Sequence, residues 1–162
     1  MNVIILDIDG VLNTSRFQKI QVKNGECDWP ESQFNFDPIC MNNLKEIVEQ
    51  FDAYIVISST WRYGCQQQDR YWIELLGNMK RYGLQNRVID ITPNLEQKYK
   101  SMLCRGHEIK AWINCHENVD KFVIIDDEDD MFDVIDHLAE CDSDYGLTNE
   151  VKKQCYEILS KI

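Results

Sequence analysis

Four short, β-branched apolar runs punctuate the chain, at residues 3–6, 54–57, 88–91 and 122–125. Runs of this length read as strands, the first of them buried, and the intervals between them are long enough for helices. Strands spaced by helices imply parallel βαβ units. The pattern therefore predicts an α/β fold, a Rossmann-like open parallel sheet flanked by helices. The intervals carry helix signals of their own. Asp37-Pro38 supplies an N-cap and a first-turn proline, and Leu44, Ile47, Val48 and Phe51 recur behind it at helical spacing. Ile109, Trp112 and Ile113 share one face of another helix. Thr148 caps a last one, with Val151, Cys155, Ile158, Leu159 and Ile162 facing inward, and residues 66–82 also read as helical. Residues 13–35 hold Gly25 and Pro30 and show no periodicity, so they read as a loop or hairpin, a flap beyond the first strand. The chain of 162 residues suffices for one domain with a real core, and 1–162 is read as that single domain.

Charge narrows the function. A net charge of -11 favours solubility and opposes long-range attraction to nucleic acid, so a nucleic-acid partner is possible but unsupported by charge. No apolar stretch is long enough for a membrane span and no signal peptide opens the chain, which points to a cytoplasmic protein without a membrane partner. The 7 cysteines form no CxxC pair and fit reduced thiols. Cys104, His107, Cys115 and His116 could be assembled into a zinc set, but their spacing matches no structural zinc pattern.

In open parallel sheets, ligands bind beyond the carboxyl ends of strands. Ile4-Ile5-Leu6 runs into Asp7, Ile124-Ile125 runs into Asp126-Asp127, and Ile55-Val56-Ile57 runs into Ser58. The chemistry-bearing residues thus fall where an α/β site belongs. Asp7 and Asp9, at i and i+2, point to one face in extended backbone, so they must share a cation or a proton. Carboxylates with a few waters are the usual shell of Mg²⁺, and Asp127 from another strand end can complete it. An EF-hand fails on spacing, since the fifth position from Asp7 is Val11 and the twelfth from Asp126 is His137. A response-regulator receiver starting at Val123 leaves too little chain for its remaining strands.

The run Asp7-Ile8-Asp9-Gly10-Val11-Leu12-Asn13 resembles the first motif of the haloacid dehalogenase (HAD) superfamily of phosphohydrolases. Ile55-Val56-Ile57-Ser58 matches its second motif, and Val123-Ile124-Ile125-Asp126-Asp127 its fourth. The third is normally a Lys at the start of the helix before the last of these strands. Here the best positional match is Arg105, with Lys110 and Lys98 as alternatives, so the phosphate-clamping cation departs from the pattern. Ser58-Ser59-Thr60-Trp61-Arg62, Thr92-Pro93, Arg105-Gly106-x-Glu108-Ile109-x-x-Trp112 and Tyr145-Gly146-Leu147-Thr148 further resemble the small HAD domains of Swiss Army Knife RNA repair proteins.

The resemblance implies a Mg²⁺-dependent phosphomonoesterase that passes through an aspartyl-phosphate. Asp7 would be the nucleophile and Asp9 the general acid and base. Asp7, the Asp9 backbone carbonyl and Asp127 would hold the metal, with Asp126 beside them. Ser58 and Arg105 would hold the phosphate, and Arg62 is a further candidate contact. Superfamily specificity rests on cap inserts. Residues 13–35 are too few for a cap domain, so only a minimal cap or flap is expected, over an open site able to admit a bulky phosphorylated substrate. A nucleic-acid end-processing phosphatase and a non-catalytic HAD-like binding module are the competing readings. A cluster of Arg16, Lys19, Lys23, Arg62, Lys98, Lys100 and Arg105 at the mouth would favour the former.

Overall fold

Hydrogen bonding joins the apolar runs into one five-stranded sheet. The structure, a computed structural model, describes residues 1–26, 35–95 and 104–161. Its strands are β1 (Asn2–Leu6), β2 (Tyr54–Ile57), β3 (Val88–Ile91), β4 (Lys121–Asp126) and β5 (Leu138–Glu140), in the order β3-β2-β1-β4-β5 with every neighbouring pair parallel. The helices are α1 (Ser15–Lys23), α2 (Pro38–Phe51), α3 (Arg70–Arg81), α4 (Arg105–Asn114) and α5 (Asn149–Ser160).

The pleat explains why the central runs are apolar without alternation. Ile4 and Leu6 of β1, Ile55 and Ile57 of β2, and Val123 and Ile125 of β4 face the larger core, with Leu44 and Ile47 of α2, Leu75 of α3 and Val151 of α5. Val3, Ile5, Val56 and Ile124 face the other way, against Ile109 and Trp112 of α4 and Met131 and Val134. Each run is buried on both sides, so any polar side chain in it would be stranded.

Most helix starts follow local rules. The Asp37, Asp69 and Thr148 side chains accept from the N–H groups of Ile39, Trp72 and Val151. Two expectations need correction. Residues 13–35 are not simply a loop: Thr14 caps the nine-residue α1, whose Val22 and Ile20 are exposed, so its apolar positions give no inward stripe to read. Residues 66–82 are helical only from Arg70, because Asp69 is the cap. The strand β5 follows a short 3₁₀ turn (Phe132–His137), and its three residues are too few to announce themselves. Ile162 and residues 27–34 lie outside the described residues.

Helix α4 starts differently. Its N-cap residue Cys104 makes no side-chain capping bond. Instead the Arg105 N–H donates to the Asp130 carboxylate at 3.0 Å, and the Gly106 N–H to the Asp130 carbonyl at 3.2 Å. Asp130, whose place in the acidic run suggests a solvated residue, is a cap delivered from the loop after β4. Gly106 permits this approach: a Cβ there would stand 2.0 Å from the Met131 carbonyl oxygen. Gly106→Ala gains about 1 kcal/mol of helix propensity, but it must push α4 off that backbone, an overpacking cost of about 1–3 kcal/mol or more. The expected result is a lower Tm together with a displaced Arg105. A variant melting at or above wild type would show that the loop yields freely.

Candidate active site

Strand register assembles the site. Leu6 pairs with Ile57 on one side and Ile125 on the other. The next residues, Asp7, Ser58 and Asp126, therefore lie abreast at the carboxyl edge. Backbone bonds extend the row: Asp7 N–H to Ile125 O at 3.0 Å, Ser58 N–H to Leu6 O at 2.8 Å, and Thr92 N–H to Ile57 O at 3.0 Å.

Three carboxylates converge there. Asp7, Asp126 and Asp127 bring oxygens within 4.8 Å of one another; Asp7 and Asp126 are buried and Asp127 is half-buried. Gly10 makes room for the third. Its φ of +76° suits glycine, and a Cβ would stand 2.2 Å from Asp127 Oδ2. Arg105 Nη1 lies 2.9 Å from both Asp7 Oδ1 and Asp126 Oδ2, and donates to the Ser58 carbonyl at 2.7 Å. Arg105 thus occupies the centre of the cluster. Of the alternatives, Lys110 is exposed and pairs with Asp133, and Lys98 lies outside the described residues.

Asp9 stands apart from the trio. Its carboxylate is exposed and accepts from Asn13 Nδ2 at 2.7 Å and Trp61 Nε1 at 2.9 Å. Its side chain is not among the carboxylates that could jointly hold a metal, so any metal contact from Asp9 falls to its backbone carbonyl. Ser58 is buried, and its Oγ accepts from Thr92 Oγ1 at 3.2 Å. The hydroxyl of Ser59 hydrogen-bonds Asp7.

Arg62 is a correction. The sequence offers it to the phosphate, but the side chain is buried and each guanidinium nitrogen donates to a protein acceptor. Nε bonds the Thr92 carbonyl at 3.1 Å, Nη1 the Ser59 carbonyl at 2.8 Å, and Nη2 the Glu108 carboxylate at 2.6 Å. Of the basic residues offered for the mouth, Lys19 and Lys23 are exposed on α1. Arg16 pairs with the buried Asp37 at 2.7 Å, and Lys100 lies outside the described residues. The zinc set also comes apart: Cys104 meets His107, while His116 stacks on Trp112 beyond the far end of α4. A cavity of about 1160 Å³ is bounded by Arg62, Thr92 and Trp112, and neither Ser58 nor any of the three acids lines it.

Burial raises the pKa of Asp7 against the opposing pull of Arg105, Ser59 and the Ile8 backbone. It lifts Asp126 to about 8, helped by the charge of Asp7, and burial and Asp7 also raise Asp127 above the ordinary carboxylate value. Burial opposes the Arg105 charge, yet Asp7 and Asp126 outweigh it and hold the guanidinium above its ordinary pKa. Folded Asp126 keeps its proton until about pH 8, whereas an unfolded chain releases it near 3.8. Between those values the native state binds more protons, so stability falls as pH rises. Metal-free wild type should therefore lose Tm between about pH 5 and pH 8 more steeply than Asp126→Asn; parallel curves would refute the assignment.

A parallel sheet that presents Asp-x-Asp, Ser and Asp-Asp at three adjacent strand ends, around one guanidinium, defines a HAD-type phosphohydrolase domain. The chain belongs to the family described as the HAD domain in Swiss Army Knife RNA repair proteins, whose profile matches residues 3–151. No curated protein and no solved structure matches it significantly. Among the described residues no helix is long and apolar enough to cross a membrane.

Sequence reasoning missed Thr92, Glu108 and Asn13 as working parts. All three are polar residues buried beside the strand ends, and a polar residue directly after an apolar strand, as at Thr92, was the available signal.

Proposed function

We propose that this chain is a Mg²⁺-dependent phosphomonoesterase with Asp7 as its nucleophile. The observation that carries the reading is Arg105, whose Nη1 bridges Asp7, Asp126 and the Ser58 carbonyl. The donor set fits the metal: three carboxylates share a single guanidinium, which leaves an excess of hard oxygen donors. When bound, Mg²⁺ supplies charge neutralisation for an anionic nucleophile meeting an anionic ester.

The residues then divide the work. An Asp7 carboxylate oxygen attacks phosphorus, forming the aspartyl-phosphate as the ester P–O bond breaks. Asp9 gives its proton to the departing oxygen. It then takes a proton from the water that attacks phosphorus, and the Asp7–phosphate bond breaks to release phosphate. Asp9 is exposed and can exchange protons with solvent between steps. Ser58 and Arg105 hold the non-bridging oxygens, Arg105 offering a planar fork where Lys would offer a point charge. Helix α1, in the described part of the segment read as a flap, belongs to that flap of a single domain over an open site. Buried thiols such as Cys40 and Cys155, each pushed up to about 12 chiefly by burial, suit the reducing cytoplasm.

The test is inorganic phosphate release from phosphorylated sugars, nucleotides, phosphopeptides and 3′- or 5′-phosphorylated oligonucleotides. The oligonucleotide arm answers the RNA-repair association of the family. Release from one class with Mg²⁺, abolished by EDTA, is expected. No release from any class overturns the reading.

A further inference from the structure

We infer that Glu108 and Arg62 form a positioning pair that sets Arg105 and Ser58 against Asp7. The inference rests on the phosphomonoesterase reading and adds residues to it. The pair is buried, with the Arg62 and Glu108 side chains 4% and 9% exposed, and its charges meet at 2.6 Å. Removing two charges from water is costly, and a pair of hydrophobic residues would often serve stability as well or better. What it touches gives the pair its purpose.

Every bond ends on a segment that carries the site. Arg62 Nη1 holds the carbonyl of Ser59, which follows Ser58 in the chain; the hydroxyl of Ser59 bonds Asp7. Arg62 Nε holds the carbonyl of Thr92, whose Oγ1 donates to Ser58 Oγ. Glu108 Oε1 accepts from the Leu95 N–H at 2.8 Å, drawing in the segment after β3. Glu108 itself stands three residues after Arg105 on α4, so the two share a helical face. The ion pair thus links the β2 end, the β3 end and the first turn of α4. Arg105 crosses the same gap in the opposite sense when it reaches the Ser58 carbonyl. Without the pair, the helix bearing the cation and the strand bearing the serine have no direct charged link, among the described residues, other than the one that must also handle phosphate.

The test compares wild type, Glu108→Gln and the double variant Arg62→Met with Glu108→Leu, using the best substrate of the panel. Glu108→Gln preserves shape and should lower kcat about 10- to 100-fold, the scale for residues that orient a reacting group, with KM within about threefold. The double variant separates the two roles. A purely structural pair predicts that apolar replacement restores Tm and kcat together; a positioning pair predicts a restored Tm with kcat still depressed. A turnover-free readout runs alongside: the Tm rise produced by beryllium fluoride with Mg²⁺, which mimics the phosphorylated aspartate. Glu108→Gln should lose most of that rise while still unfolding cooperatively without ligand. Wild-type kcat and an undiminished rise in folded Glu108→Gln overturn the pair's role and leave the phosphomonoesterase reading standing. A wild type that neither turns over nor responds to beryllium fluoride defeats that reading first, and this inference with it.

Discussion

Asp7→Asn should cut phosphate release by about 10⁴-fold or more, the scale seen when a covalent nucleophile is removed, and should not unfold the protein. An amide oxygen has neither the charge nor the basicity to attack phosphorus. The fold should tolerate the change well. Asp7 is 5% exposed, burial holds its pKa up, and it shares a small volume with Asp126 and Asp127. Asparagine keeps the shape and removes one of three crowded acids. The metal-free Tm should therefore hold or rise, while the Tm increase given by Mg²⁺ shrinks. Lost activity with a raised metal-free Tm is the signature of a site that stores repulsion for its chemistry. Full turnover in Asp7→Asn would remove Asp7 from the nucleophile's place, whatever the melting curve shows.

The legible part of this molecule was the part governed by local rules. Four strands announced themselves as short β-branched apolar runs, and in β1, β2 and β4 burial on both faces forbids polar residues between the ends. The acids at their ends stood out against that apolar background, and parallel register then brought Asp7, Ser58 and Asp126 abreast without further information. What escaped was set by long-range contact. The cap of α4 comes from Asp130, 25 residues beyond Arg105, and no local pattern encodes it. Helix α1 shows little inward apolar stripe, so periodicity could not find it. Arg62 was misplaced for a related reason. Its position just past Ser58 is as suitable for phosphate as for a buried partner, and the partner Glu108 lies 46 residues away. Asp9 was legible as a residue but not in its setting, since the bond from Trp61 spans 52 positions.

Replacing Arg105 should produce the second large effect, with a pattern that distinguishes a phosphate clamp from a structural cation. Arg105→Ala removes the cation that reaches both Asp7 and Asp126. Loss of one preorganised charge facing the transition state costs about 10²- to 10³-fold in kcat. Metal affinity should move the other way: with the guanidinium gone, no cation among the described residues pairs with Asp7, Asp126 or Asp127, so Mg²⁺ should bind at least as tightly as in wild type. A change that merely loosened the site would weaken both together. Without metal, the same loss should destabilise the protein more at about pH 8 than at about pH 5, because repulsion grows as the acids ionise. Arg105→Lys is the informative control. Lysine supplies the charge but only as a point on a flexible stem, and it cannot match the fork of a guanidinium. It should recover part of the activity, to within about tenfold of wild type, and its metal-free Tm should fall between those of wild type and Arg105→Ala. Kinetics of Mg²⁺ titrations on the three proteins read all of this at once. An Arg105→Ala protein with wild-type kcat would place the clamp on another cation, and Lys98 would be the next to replace.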